Sequence, residues 1–545
     1  MYSVSEVVAR VLAPRIDTYF GIMGNGNAWF IDALEQLGHE MIPVRHEVAT
    51  VASADAFHRV TNKIAVATTT YGPGFTNTIT ALVESAKARV PLVLVTGSAP
   101  QNSPRPWDID QAGLAASFGV HTFPATPADA AQQTFAALAH ASAHRTPVVL
   151  EIPYDLGAQE CIDKRLQTLL DTSVPMAQPE VIVPGAEEIG SIASLLVDAQ
   201  RPLLLAGRGA KSADADVIRL ADFLEADVAT SAPAKGLFNG TGKFRDLGIC
   251  GGFASKAAAA EIGQADVVLV IGAGLNPFTL AFGQAFHPAA TVIQIDVTEQ
   301  ATCARVDHFL RGSAHATVPA LLSALQAKDF LAPARPSPCS EVKDHEKGDA
   351  LAPDGRLDPR SLMHAINDII PSQRLVVTDG GHFIGWANTH LDVPAADNMV
   401  LLGTTTQSIG LGFSSAVGVA AAAGEEKMTV LVTGDGGGLM ALADAESFVR
   451  QAHRGVIVVV NDAAYGAEIH QYATKGVSAA PMLIPEVNFA RLLSALGARA
   501  TVIHALEDLA DFRAWVDSQE TGTYVLDCRV SREIIAPFMQ ELMAR

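Results

Sequence analysis

The sequence predicts an α/β protein built from three parallel-sheet domains. Helical and strand patterns alternate along the whole chain, as they do in βαβ units. Its strands read as short apolar runs that stop in glycine turns, the form of strands buried on both faces. A chain of 545 residues is also too long for one core, at about 150 residues per domain. Two proline-bearing, charged stretches without hydrophobic period, 161–185 and 331–357, divide it. The expected units are 1–165, 186–330, a linker at 331–357, and 358–545.

In the first unit a helix at 3–12 precedes a strand at 18–21, which runs into a glycine turn through Asn27. A helix at 29–37, a strand at 41–44 and a helix opened by Arg45-His46-Glu47 follow. The strand at 64–69 ends in Tyr71-Gly72-Pro73-Gly74, a helix covers 77–88, and a strand covers 92–96. A proline-rich loop at 100–106 gives way to a helix restarting at 107–111, and a strand at 147–152 closes the unit. The second unit carries strands at 202–206 and 267–271, each ending in a Gly-x-Gly turn, and another at 292–296. The third begins with a strand at 375–378 ending in Asp379-Gly380-Gly381-His382. Its smoothest apolar stretch, 409–424, is rich in Ala, Gly and Ser and reads as a close-packed helix, not a membrane span.

Composition narrows the partners. A net charge of −20 argues against nucleic acid or an anionic membrane surface. The five cysteines lie far apart in sequence, which fits a reducing compartment and offers no metal site. The N-terminus has no secretory pattern, so a cytoplasmic location is expected.

The most informative stretch is 430–468. An apolar strand breaks into Gly434-Asp435-Gly436-Gly437, a helical pattern follows, and a second apolar strand stops at Asn461-Asp462. Ligands bind at the carboxyl ends of parallel strands. Glycine backbone N–H groups approach phosphate closely, and carboxylates are hard oxygen ligands suited to Mg²⁺. GDG, then 24 residues counted from Gly437 through Val460, then Asn-Asp, resembles the thiamin-diphosphate motif of the acetolactate synthase and pyruvate decarboxylase superfamily. That motif normally has Ser or Ala at position 437 and a second Asn at 462. The resemblance implies Mg²⁺ held by Asp435, Asp462 and the main-chain carbonyl of Ala464. It also implies a cofactor wall of Gly434, Asp435, Gly436, Gly437, Tyr465, Gly380, Gly381, His382, Ser408 and Ile409. Ile409 stands where the family places an apolar wedge that bends the cofactor.

The first unit resembles the pyrimidine-binding domain of the same superfamily: 45–63 is similar to its His-Glu helix and YGPGFTN to its SGPGATN turn, which adds Gly72 to the wall. The resemblance gives Glu47 the activation of the aminopyrimidine, across a subunit interface in a homodimer or homotetramer. Gln111 falls where acetolactate synthases and benzaldehyde lyase place a substrate-facing glutamine. Glu468 falls where pyruvate decarboxylases have a catalytic glutamate, and an apolar cleft there would raise its pKa for acid work. The active-site histidine of benzaldehyde lyase is replaced by Gly26, and the double histidine of pyruvate decarboxylases is absent near 98–106. The middle unit resembles the family's Rossmann-like domain, yet Leu275-Asn276-Pro277-Phe278 replaces the Arg-Phe-Asp-Asp run of FAD-binding acetolactate synthases, so FAD is not supported.

The implied activity is cleavage of a C–C bond beside a carbonyl in a 2-oxo acid or diketone, most simply decarboxylation. The fragment is then protonated or added to a second carbonyl compound. An acetolactate synthase-type carboligase is the enzymatic alternative. A cofactor-binding paralogue with a structural or regulatory role, and a nicotinamide oxidoreductase using the middle-domain glycines, are the alternatives of other classes.

Overall fold

Each third of the chain forms its own six-stranded sheet, and every strand pairing is parallel. A computed structural model describes residues 2–103, 105–163, 165–171, 178–240, 244–328 and 342–544. The first sheet contains β1 (Tyr19–Gly21), β2 (Ile42–Pro43), β3 (Val66–Thr69), β4 (Val93–Ser98), β5 (His121–Pro124) and β6 (Val148–Pro153), ordered β2-β1-β3-β4-β6-β5. The middle sheet contains β7 (Pro202–Ala206), β8 (Asp227–Thr230), β9 (Asp246–Ile249), β10 (Val267–Ile271), β11 (Thr291–Asp296) and β12 (His308–Arg311), ordered β12-β11-β10-β7-β8-β9. The third contains β13 (Arg374–Thr378), β14 (Met399–Leu401), β15 (Met428–Gly434), β16 (Arg454–Asn461), β17 (Arg499–Ile503) and β18 (Gly522–Arg529), ordered β14-β13-β15-β16-β18-β17.

The first and third sheets thus repeat one strand order, and the middle sheet has the doubly wound order of a dinucleotide fold. In the middle sheet, however, the glycine turns after β7 and β10 are pressed together. A Cβ on Gly207 would come within 2.2 Å of the Gly272 carbonyl oxygen, so these glycines serve backbone-to-backbone packing.

The predicted strands form, most of them within two residues of the expected bounds, because they are fully buried runs of Val, Leu and Ile. The differences lie where burial is incomplete. β5 is an edge strand with exposed and half-buried residues and carries no apolar run to mark it. The helix expected from 107 starts only at Gln111, because the Asp110 side chain accepts from the Gly113 N–H at 2.7 Å and caps it there. Part of the stretch expected as a linker after 161 is a helix, Leu166–Asp171, packed on the helix Ala130–His144. Of the linker expected at 331–357, positions 331–341 lie outside the described residues. From 342 the chain is docked: the Ser255 hydroxyl donates to the Val342 carbonyl, Lys343 pairs with Asp246 at 2.6 Å, and Leu357 bridges to Val530.

One hydrophobic core unites the first and third sheets. At its centre the helix Glu47–Thr61 crosses the helix Gly412–Ala423, the latter the close-packed helix expected from composition. Their facing residues are small, so the backbones touch: Ser53 Oγ donates to the Ser414 carbonyl at 2.7 Å, and a Cβ on Gly418 would lie 2.0 Å from the Ser53 carbonyl oxygen. Around the crossing, buried Arg59 pairs with Asp55 and donates to the Leu401 carbonyl. Buried Glu84 accepts from the Thr406 N–H at 2.9 Å and from its hydroxyl at 2.7 Å. Gly418→Ala should destabilise the protein by about 3 kcal/mol, because the obstruction is backbone and cannot rotate away. Gly190→Ala, in a helix where an added Cβ meets nothing within 4 Å, should stabilise by about 0.5–1 kcal/mol. Chemical denaturation of both variants checks the pair, and equal effects would contradict the crossing.

Candidate functional site

The third sheet reverses direction of winding at β13 and β15, and the carboxyl ends of β13, β15 and β16 bring three acids to one edge. Gly434 ends β15, and Asp435, Gly436 and Gly437 form the first turn of the helix Asp435–Met440. The Tyr465 ring lies over Gly436. Asp462 follows β16, and the nearby Ala464 N–H favours the charged form of both Asp435 and Asp462. The turn between them bends at Ala463, whose φ of 55° is left-handed.

Asp435 is 2% exposed, and its Oδ2 has no hydrogen-bond partner. Burial, then the charge of Asp462, raises its pKa above the carboxylate range. Burial also raises Asp462, against the opposing charge of Arg532. Two adjoining buried carboxylates with an orphaned oxygen are costly by themselves, and a divalent cation relieves both the repulsion and the missing contact. The donor set therefore fits Mg²⁺. Asn461 takes no part in it: its Nδ2 donates to Asp527 and to the Val487 carbonyl, each at 3.0 Å.

The third acid, Asp379 at the end of β13, is the opposite case, and sequence reasoning passed over it. It accepts from the backbone N–H groups of Gly380 (2.8 Å), Gly410 (3.0 Å) and Leu411 (3.2 Å). Burial lifts its pKa to about 6, against the pull of those donors. Asp379 thereby ties the turn 403–411, with Ser408 and Ile409, to the sheet edge. It also explains the departure at position 437, since a Cβ there would sit 2.5 Å from Asp379 Oδ2. Ser408 hydrogen-bonds through its hydroxyl to Thr406. Ile409 packs beside Gly380 but remains 36% exposed, next to exposed Met440. Gly380 and Gly381 link β13 to this wall, with Gly381 at φ 140°.

Two expectations about side chains are corrected. His382, expected at the cofactor wall, is engaged by its own chain: its Nε2 accepts from the Ala536 N–H at 2.9 Å, and its ring packs on Trp386, His470 and Phe538. Burial, and to a lesser degree His470, lowers its pKa to about 3, so it is neutral and fastens the C-terminal segment. Glu468, expected in an apolar cleft, is exposed in the first turn of the helix Gly466–Tyr472. No wall of its own chain covers it.

In the first sheet, Glu47 is half-buried at the start of its helix and accepts from Asn77 Nδ2 at 3.0 Å. Nearby, the Arg45 N–H donates to Asp444 at 2.9 Å and its guanidinium pairs with Glu446 at 2.8 Å. Among the described residues no hydrogen bond or ion pair joins Glu47 to Asp435 or Glu468. Gln111, expected to face substrate, is 3% exposed with both ends of its amide engaged: it accepts from the Gly72 N–H at 2.7 Å and donates to the Gly97 carbonyl at 3.0 Å and to Glu151 at 3.2 Å. It positions the Gly72 turn. Glu151 was missed, although a lone acid inside the apolar run of β6 was its signal.

Burial raises Glu151 to about 7, with the Gln111 hydrogen bond opposing. A carboxyl whose folded pKa lies above its unfolded value stabilises fully below about 4.5 and loses that contribution as pH rises through about 7. Glu151→Gln keeps an acceptor for Gln111. Relative to the parent it should gain on the order of 2 kcal/mol between pH 5 and pH 8. Thermal unfolding at the two pH values tests this, and parallel profiles would contradict it.

Comparison with known proteins gives one answer along the chain. Residues 2–114 match the N-terminal TPP binding domain of thiamine pyrophosphate enzymes, 189–321 their central domain and 379–528 their C-terminal TPP binding domain. The acetolactate synthase isozyme 2 large subunit of Escherichia coli is 27% identical over 84% of this chain and 83% of its own. The sulfoacetaldehyde acetyltransferase of Castellaniella defragrans is 26% identical over 99% of this chain and 94% of its own. The fold is shared with the thiamine diphosphate-dependent 4-hydroxybenzoylformate decarboxylase of Rhodococcus jostii (TM-score 0.78, 20% identity, 97% of this chain and 99% of that one). With its three domain matches and the paired acids at the third sheet's edge, the chain belongs to the thiamin-diphosphate-dependent enzymes of the acetolactate synthase and pyruvate decarboxylase superfamily.

Proposed function

We propose that this enzyme cleaves the C–C bond beside the carbonyl of a 2-oxo acid, releasing CO₂, with the remaining fragment protonated or added to a second carbonyl compound. The observation that carries the reading is the buried pair Asp435 and Asp462, with its orphaned oxygen, at the end of adjacent strands. Asp435, Asp462 and the Ala464 carbonyl would hold Mg²⁺, the glycine turn 434–437 the diphosphate, and Glu47 the aminopyrimidine. When bound, thiamin diphosphate supplies the electron sink for C–C cleavage.

The chain's own groups then divide the remaining work. Asn77 holds the Glu47 carboxyl in place. Ile409, packed beside Gly380 and partly exposed, offers an apolar wedge. Glu468 is an acid available for proton transfer after cleavage, a role that favours decarboxylation with protonation. In a homodimer or homotetramer with the site shared between subunits, Glu47 of one subunit would face Asp435 of the other. Exposed Met440, Tyr472, Val477 and Leu483 in the third domain give such an interface apolar area. No helix among the described residues is long and apolar enough to cross a membrane.

Acetolactate synthase-type carboligation is the second reading, favoured by the acetolactate synthase and acetyltransferase relatives. Product analysis with pyruvate separates the two: acetaldehyde for protonation, acetolactate for ligation. Glu47→Gln should lower turnover at least about 100-fold. The variant should keep the parent's rise in melting temperature on adding thiamin diphosphate and Mg²⁺, and unchanged turnover would refute the role of Glu47. Asp435→Ala should abolish that rise. Asp462→Asn should instead raise the melting temperature of the cofactor-free protein, by removing a buried like charge, while retaining the cofactor-induced rise. A cofactor-free form no more stable than the parent would contradict the paired-acid account.

A further inference from the structure

Tyr71 stands at the carboxyl end of β3, in the turn whose next residue is held by Gln111 and whose Asn77 holds Glu47. Its ring fills a space that two glycines leave open. A Cβ on Gly26 would come 2.7 Å from Tyr71 Cδ1, and a Cβ on Gly97 would come within 2.9 Å of the same atom. The missing side chain at position 26 is therefore the room required by Tyr71, and the ring is set between the ends of β1 and β4.

The hydroxyl is more constrained than the ring. It accepts from Asn25 Nδ2 at 3.2 Å and from Arg105 Nη1 at 3.1 Å. Both donors are themselves fixed. Thr70 Oγ1 donates to Asn25 Oδ1 at 3.1 Å. Arg105 is paired with Asp108 at 2.7 Å, and its guanidinium lies 4.7, 5.0 and 5.5 Å from the ring centroids of Tyr71, Tyr154 and Trp107. Two accepted hydrogen bonds occupy both lone pairs of the phenol oxygen. The O–H hydrogen has no acceptor among the described residues. A phenol whose oxygen already rests against a guanidinium is a stronger donor, because that cation stabilises the negative charge that donation builds on the oxygen.

We propose that Tyr71 is a substrate-recognition residue, its preorganised O–H donating to a carbonyl or carboxylate oxygen of the 2-oxo acid. The proposal rests on the functional reading above and adds the group that fixes the acid's oxygen beside the Glu47 turn. Asn25 and Arg105, each fixed by its own partner, hold that oxygen, so the donor is aimed without reorganisation.

The test uses the full-length enzyme loaded with thiamin diphosphate and Mg²⁺. Tyr71→Phe keeps the ring over Gly26 and Gly97 and removes only the O–H, whereas Tyr71→Ala also opens the space. Pyruvate and benzoylformate are the substrates, and the calorimetric Kd of methyl acetylphosphonate, a pyruvate isostere, gives a readout independent of turnover. In Tyr71→Phe, KM and this Kd should rise about tenfold. The kcat should change by less than about twofold, and the cofactor-induced rise in melting temperature should be kept. Parent KM and Kd in Tyr71→Phe would overturn the role, as would a loss of stability equal to that of Tyr71→Ala, which marks the phenol as a structural clasp. If the parent enzyme releases CO₂ from neither acid, the functional reading fails and takes this role with it. If it does and the Phe variant is unchanged, only Tyr71 is excluded.

Discussion

The contact on which the rest of the molecule depends is the crossing of the helices Glu47–Thr61 and Gly412–Ala423. Because Gly418 meets the Ser53 backbone directly, the two helices have one separation and little freedom to slide. Glu47 opens the first of these helices, so its position is set by the crossing and not by its own loop. The buried Arg59 and Glu84 extend the same contact to the Leu401 carbonyl and to Thr406, at the foot of the turn that carries Ser408 and Ile409. Glu47 and the turn 403–411 are thus placed by one packing event between sequence-distant domains.

Three acids at neighbouring strand ends show how similar residues acquire different work. Asp379 is buried among backbone N–H groups that satisfy it, and it acts on the chain itself. Asp435 and Asp462 are buried against each other and leave an oxygen unsatisfied. Such a group calls for an explanation, and a divalent cation between the two acids would supply it. The difference lies in how many donors point inward, which residue type alone does not reveal.

Much of the architecture was legible because it is written in apolar runs: the strands of three parallel sheets and the βαβ unit with its acids at fixed spacing. What was not legible depends on direction and on partners far away in sequence. Gln111 and His382 are the right residue types in the right turns. Yet Gln111 is spent on Gly72, Gly97 and Glu151, and His382 on Ala536, contacts that no local pattern encodes. β5 escaped notice because an edge strand need not be apolar. The chain beyond 342 reads as linker by composition, but the ion pair of Lys343 and the buried, bridged Leu357 anchor it. The small residue at 437 departs from the motif by sequence, and its reason is the Asp379 carboxylate beside it.

That last contact ties two positions nearly sixty residues apart into one heritable unit. A side chain at 437 must displace Asp379, and Asp379 is what holds the backbone at Gly410 and Leu411, directly after Ile409. Substitutions at 437 and 379 are therefore expected to be epistatic, each tolerated only in the company of the other. The bulk allowed at position 437 and the setting of the turn at Ile409 form a single variable, so that altering one requires revising the other.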